Sequence, residues 1–349
     1  MGNQYAVIGG LAVVMALVMF LPFSLRKVEE ELEAFLFVMG VCAATISGVW
    51  SWHLVREALA EPLMISITVL LAGFLFRALR GKIAAGVGWL AGRIGLRALA
   101  FIVVLGLGFV SSVITAIVAA LVLCEIIAVL RLERKYELRL VICACYAIGL
   151  GAVLTPVGEP LSAIAVSKLK GPPHNADFYF LLKLLGVWVV PGVIALSALA
   201  ASYKPGLKDE KETLSTDREE TNGIIIVRAL KVYLFVMALV FLGSGLAPLA
   251  EMTVSRVPDD ALYWLNSLSA VLDNATLAAA ELLPSLSPHK VKFLLMGLLV
   301  AGGMLVPGNI PNIISSAKLG IRSREWAVAA VPLGIALMGI YFVLLRFFA

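Results

Sequence analysis

Glu159 stands in the stretch TPVGEPLSAIAV, between apolar runs, with Pro156, Gly158 and Pro160 within three residues of it. A helix passing through would lose backbone hydrogen bonds at the prolines and would hold a carboxyl group where charge is costly. A second acid, Asp273, lies in LDNAT beside Asn274 and Thr276, so a carboxylate, an amide and a hydroxyl share four residues. Such an oxygen-rich set suits a small hard cation, and a buried carboxylate can also carry a proton. Thr155, Asn309 and Asn312 flank the prolines of two apolar stretches, and Ser111, Ser112 and Thr115 interrupt a third.

The elements that hold these residues belong in a membrane. The chain has 349 residues, 61% hydrophobic and 15% charged, and its mean hydropathy of +0.99 exceeds what a soluble surface allows. Apolar segments near 4–21, 33–50, 61–76, 98–130, 139–167, 178–201, 226–250, 262–286, 291–317 and 326–347 are candidate membrane helices, too continuous for the alternating strands of a barrel. The first lacks a charged leading region and a clear cleavage site, so it is expected to be a retained helix.

Other chemistries find little support. Cys42, Cys124, Cys143 and Cys145 all lie in apolar runs, and the pair 143/145 has no histidine or third thiol nearby to complete a metal set. His53, His174 and His289 show no common spacing. Neither an HExxH helix nor a GxxxxGK[ST] loop is present, so the expectation is a protein that is not an enzyme and needs no cofactor. The net charge of +5 resides in membrane-flanking segments and reads as topology, not as nucleic-acid binding.

Arg77, Arg80, Lys82, Arg93 and Arg97 lie in 77–97 without an acid, which marks that segment as cytoplasmic. Arg131, Arg134, Lys135 and Arg139 follow the next apolar block, so 98–130 starts and ends on one side, as a re-entrant hairpin with its turn at GFVSSVIT. Segment 139–167 then crosses outward and 178–201 returns. The charged stretch 203–224 is a cytoplasmic linker. Segment 226–250 crosses outward, 262–286 turns back from outside, and 291–317 crosses inward to Lys318, Arg322 and Arg324. The last segment leaves both termini outside. Residues 1–60 form peripheral helices, 61–202 a first repeat and 225–349 a second.

The two halves carry similar words. SSVITAIVAA at 111 pairs with SAVLDNATLAAA at 269, and AVLTPVGEPLSAIAVSKL pairs with GMLVPGNIPNIISSAKL, setting Pro156 against Pro307 and Pro160 against Pro311. The offsets, 158 (111 to 269) and 151 (156 to 307), agree closely enough to indicate an internal duplication. With hairpins on opposite sides, the expected fold is an all-α polytopic membrane protein of inverted-topology repeats, with two opposed re-entrant hairpins and two discontinuous helices, 139–167 and 291–317. In such folds unwound carbonyls and free helix ends bind ions near the midplane.

On these motifs the chain resembles the ion transporter superfamily, which includes the D-type sodium/proton antiporters, the arsenite permeases and the divalent-anion/sodium symporters. It is similar also to a smaller, poorly characterised group of cation transporters. The likeness spans about residues 61–349 in segment order and is more specific for the fold than for the substrate. It implies secondary transport by alternating access, a homodimer, and ion sites at hairpin tips and helix breaks. Carried over residue by residue, the acid of the first break is Glu159 and the aspartate–asparagine pair is Asp273 and Asn274. The chain departs from the symporter pattern, since SSVIT has no asparagine and the second tip holds an aspartate that would repel an anion.

The expectation is therefore exchange of a monovalent cation, sodium first, for protons across the cytoplasmic (inner) membrane. Glu159, Asp273 and Asn274 are candidate sodium ligands, the two acids carry the proton, and Thr155, Thr276, Asn309, Asn312, Ser111, Ser112 and Thr115 are further ion-binding candidates that bring more oxygens. Glu125 and Glu281, each following a hairpin tip, are lesser candidates, and Glu281 could be a second proton carrier. A sodium-coupled carrier of oxyanions or organic anions is the alternative; a channel is a third reading.

Overall fold

In lipid a chain must satisfy its backbone polar groups internally, and helices do so within one segment. The computed structural model describes residues 2–25, 27–28, 31–206, 222–254, 257–271 and 274–348, and its regular elements are helices. They are α1 (Gly2–Ser24), α2 (Leu32–Ser47), α3 (Trp52–Ile114), α4 (Ala116–Leu130), α5 (Arg134–Ala152), α6 (Pro160–Lys168), α7 (Phe180–Ser202), α8 (Asn222–Val254), α9 (Asp259–Leu265), α10 (Asn274–Glu281), α11 (Pro288–Gly302), α12 (Ile310–Leu319) and α13 (Ser323–Phe348). Short 3-10 turns cover Asn266–Ala270 and Val306–Gly308. Of the predicted linker, 207–221 lies outside the described residues.

Among the described residues five stretches are long and apolar enough to cross a membrane: Trp52–Leu79, Ala85–Ile114, Phe180–Ser202, Asn222–Pro248 and Ser323–Phe348. They expose large apolar side chains such as Leu71, Val187 and Val328, as a lipid-facing surface does. The chain is a multi-pass membrane protein. At the centre, α5 is buried continuously from Leu140 to Ala152 and α11 from Phe293 to Gly302. Helices apolar all round belong in such a position.

The segment expected to mark the cytoplasmic side is itself helical. The basic segment 77–97 lies within α3, which bends at Gly95, where φ is 78° and ψ is 160°. Arg77, Lys82, Arg93 and Arg97 are all exposed along it. Charge counts mark a side of the membrane but do not break a helix, because long basic side chains can reach water from a helical backbone.

Both predicted discontinuous helices are present. The first is α5, an irregular stretch at 153–159, and α6; the second is α11, the turn around Val306–Gly308, and α12. They run antiparallel. Arg134, which opens α5, donates to the carbonyls of Leu319 and Gly320 at the end of α12, while His174, beyond α6, bonds the Leu286 carbonyl just before α11.

The packing between the halves is pseudo-symmetric. The α4 helix packs on α12 and the α10 helix on α6, so each half's short helix meets the other half's second broken arm. Buried Ser111 donates to the Ile148 carbonyl of α5 at 3.1 Å, and buried Ser269 to the Leu298 carbonyl of α11 at 3.2 Å. Those two acceptors are 150 residues apart (148 to 298). Gly158 and Gly308, again 150 apart, back onto the carbonyls of Ala152 and Gly302, where an added Cβ would lie 2.0 and 2.6 Å from oxygen.

This register differs by one from the proline alignment. Glu159 caps α6 and Asn309 caps α12, both extended, at φ −155°, ψ 161° and φ −156°, ψ 144°. Proline is accepted at either of the first two helical positions, whose N–H groups have no intrahelical acceptor. The prolines therefore permit a slip of one residue, whereas the caps fix the register.

Candidate functional site

The tip between α3 and α4 is a single residue. Thr115 has φ 76° and ψ 150°, a region that a β-branched residue occupies only under strain of about 1–3 kcal/mol. Its hydroxyl accepts from the N–H of Val118 at 3.4 Å, and the N–H of Ala116 donates to the Gly158 carbonyl at 2.7 Å. The tip is thus tied to the first helix break. Thr155 adds a second tie by donating from its hydroxyl to the Ser112 carbonyl.

Glu159 follows at the N-cap of α6, 6% exposed. Its N–H reaches the Ser162 hydroxyl at 3.4 Å, and that hydroxyl donates to the Glu159 carbonyl at 2.6 Å. Pro160 opens the helix, where its missing donor costs nothing. The carboxyl consequently stands at the N-terminal end of α6, beside the N–H groups that have no intrahelical acceptor.

In the second half Asn309 takes the place of Glu159. Asn309 is 3% exposed, and its amide nitrogen would lie 2.6 Å from a Cβ added at Gly149, so α5 passes close to the Asn309 side chain at a glycine. Asn312 donates to the carbonyls of Gly302 and Leu305, both at 2.9 Å, and so bonds two carbonyls freed by the break. Its Oδ1 has no partner among the described residues. Asn274 begins α10; it is 3% exposed and its Nδ2 likewise has no partner among the described residues.

These parts meet. A cavity of about 260 Å³ is lined by Thr115, Ala116 and Ile117 from the first tip, 156–160 and Ala163 from the first break, Asn274 from the second tip, and Asn309 and Ile310 from the second break. It can hold a small ion with some of its water. Of the sequence-predicted site residues, Thr115, Glu159, Asn274 and Asn309 line it. Asn312 lies behind Asn309 and bonds the break. Thr155, Ser111 and Ser112 bond main-chain carbonyls, Ser112 that of Phe109 at 2.7 Å. Their hydroxyls hold tips and breaks together. Asp273 and the Thr276 side chain lie outside the described residues; Thr276 falls within α10.

Sequence reasoning passed over Ser162, Ser269 and Asn266. Asn266 is 1% exposed and donates to the Leu294 carbonyl at 3.2 Å. Ser269 was visible as the counterpart of Ser111 in the paired motifs. Asn266 has no equivalent in the first half and left no signal. Among the described residues no cluster of three or more histidine, cysteine, aspartate or glutamate side chains could hold a metal ion.

A family model described as "Protein of unknown function (DUF1646)" matches residues 8–348, nearly the whole chain, and the chain belongs to that family. No curated protein matches it.

Proposed function

We propose that this DUF1646 member is a secondary active transporter of the cytoplasmic membrane, exchanging a monovalent cation, sodium first, for protons by alternating access. The observation that carries the reading is the cavity in which Glu159 meets Thr115, Asn274 and Asn309 from four different chain segments. Broken helices that bring a carboxyl, a hydroxyl and two amides to one cavity within an apolar bundle are what ion transport requires, since irregular backbone at membrane depth is tolerated only inside protein or beside water.

On this reading α3–α4 and α9–α10 are re-entrant hairpins entering from opposite sides. Arg97 lies within electrostatic reach of Tyr136 near the start of α5, and α4 ends at Leu130, just before α5 begins at Arg134. Thr115 sits at the level of the break. For the second hairpin, Asp259 meets His289 and Lys290 at 3.1 and 3.3 Å at the opposite end, and Asn274 reaches the central cavity. The basic end is cytoplasmic, and a homodimer, implied by the resemblance, is part of the same reading.

The mechanism is competition. With the proton on Glu159, the carboxyl is neutral and the cavity has no need of a cation. When the proton leaves to water on one side, the carboxylate, the Asn309 and Asn274 amide oxygens and freed carbonyls supply a cation site. Asp273 is assigned the companion role at the second tip. Exchange follows because the same oxygens hold either species.

Purified protein in liposomes containing a pH dye, pulsed with sodium, lithium, potassium, calcium and choline salts, tests this. Sodium-dependent proton movement, lost in Glu159→Gln and Asp273→Asn, supports it. No proton movement with any cation sinks it and directs attention to sodium-driven oxyanion or organic-anion uptake.

A further inference from the structure

Two lysines occupy the same position in the two halves. Lys168 is the last residue of α6 and Lys318 lies one residue from the end of α12, each nine residues after its cap (159 to 168, 309 to 318). Each also reaches the second arm of the other half's hairpin. Lys318 donates to the Glu125 carboxylate of α4, and the two side chains are 5% and 9% exposed. Lys168 instead donates to the main-chain carbonyl of Ala279 in the last turn of α10. Two residues further on is Glu281, 5% exposed, which Asn266 reaches and whose Oε2 has no partner among the described residues.

One end of the molecule therefore holds a closed buried ion pair, and the other end holds the same two residue types with the contact unmade. A carboxylate in an apolar site is stable only when paired; without a cation it keeps its proton. Among the described side chains of α8 and α11, which pack against α10, His289 and Lys290 of α11 are committed to Asp259, and Lys231 of α8 to Glu33 at 3.5 Å. Lys292, also on α11, is the remaining cation among those described side chains, and Asn266 presents an uncharged amide. Lys168 is already bonded within the turn that carries Glu281.

We propose that Glu281 is a proton-binding site separate from the central cavity, and that Lys168 takes its carboxylate when the proton leaves. In the proton-bound state Lys168 rests on the Ala279 carbonyl, as observed. On release the proton passes to water at that end, and the Lys168 ammonium moves from the carbonyl to the new carboxylate. The outer end then matches the Glu125–Lys318 end. The consequence for exchange rests on the reading above; the proton site itself does not.

Carbodiimide labelling tests the site without knowing any substrate, because the reagent adds to protonated carboxyls in apolar surroundings. Full-length protein in liposomes is labelled from neutral to alkaline pH and each glutamate quantified by mass spectrometry. Glu281 should label at neutral pH and lose labelling as pH rises. Lys168→Met should move that loss upward by about one pH unit or more, a tenfold change in proton concentration, and Lys168→Arg should restore it. Glu125 should label only in Lys318→Met, which also checks the reagent's access. An unlabelled Glu281 at every pH, with Glu125 labelled in Lys318→Met, overturns the proposal, as does a Glu281 profile that Lys168→Met leaves unchanged. Absence of cation-driven proton movement in liposomes would remove the exchange reading while leaving this result standing.

Discussion

Glu159 and Asn309 cap the second arms of the two broken helices in the same extended conformation, 150 residues apart, and both face one cavity. The same structural position thus holds an acid in one half and its uncharged analogue in the other. Asn309→Asp should place two carboxylates in the cavity. Like charges sharing a site raise one proton affinity, so the pH midpoint of sodium-driven proton movement should shift upward while Glu159→Gln abolishes the signal. An unaltered pH profile in Asn309→Asp would remove Asn309 from the ion path.

Gly158 and Gly308 each back onto a carbonyl of the preceding arm. Alanine at either position meets that oxygen at well below contact distance, and overpacking of this kind costs about 1–3 kcal/mol. Both variants should lower the thermal midpoint in detergent by several degrees. Gly106→Ala, where nothing lies within 4 Å of the added carbon, should leave the midpoint unchanged or raise it slightly.

The Glu125–Lys318 pair is buried on both sides. Removing one partner leaves a charge stranded, at a cost of about 3–5 kcal/mol. Glu125→Leu and Lys318→Met should therefore each destabilise strongly, and the double variant should recover much of the loss. Additive losses in a double-mutant cycle of thermal unfolding would show that the two side chains do not depend on each other.

Arg134 joins the start of one broken helix to the end of the other. It donates to both Glu325 oxygens, at 3.0 and 2.8 Å, to Glu137 at 2.9 Å and to two helix-end carbonyls. Burial opposes its charge, but the Glu325 hydrogen bonds outweigh that and hold its proton more firmly than usual. Lysine cannot form this fork. Arg134→Lys should lower stability measurably and increase alkylation of an engineered Leu319→Cys; equal labelling rates in both backgrounds would deny that Arg134 holds the two helix ends together.

The paired words of the two halves identified both broken helices because proline, glycine and a polar residue inside an apolar run have few structural uses. They did not identify the register, since a proline fits either of two positions at a helix start, nor that 77–97 is helical, since exposed basic side chains are compatible with helix and loop alike. Ser111, Ser112 and Thr155 were expected to bring further oxygens to the ion site. In the fold their hydroxyls donate to carbonyls of Gly108, Ile148, Phe109 and Ser112, ties to other segments and turns that residue type did not reveal.

By itself the sequence determined that this chain lives in a bilayer, that its helices are interrupted at two related places, and that an acid stands beside the first of them. Those facts follow from composition and local backbone chemistry. Tertiary structure alone decided that Thr115, Glu159, Asn274 and Asn309 share one cavity, that Asn309 is the counterpart of Glu159, and that Lys318 holds Glu125 while Lys168 rests on a carbonyl beside Glu281. Each is a contact between residues far apart in the chain, set by how antiparallel helices pack.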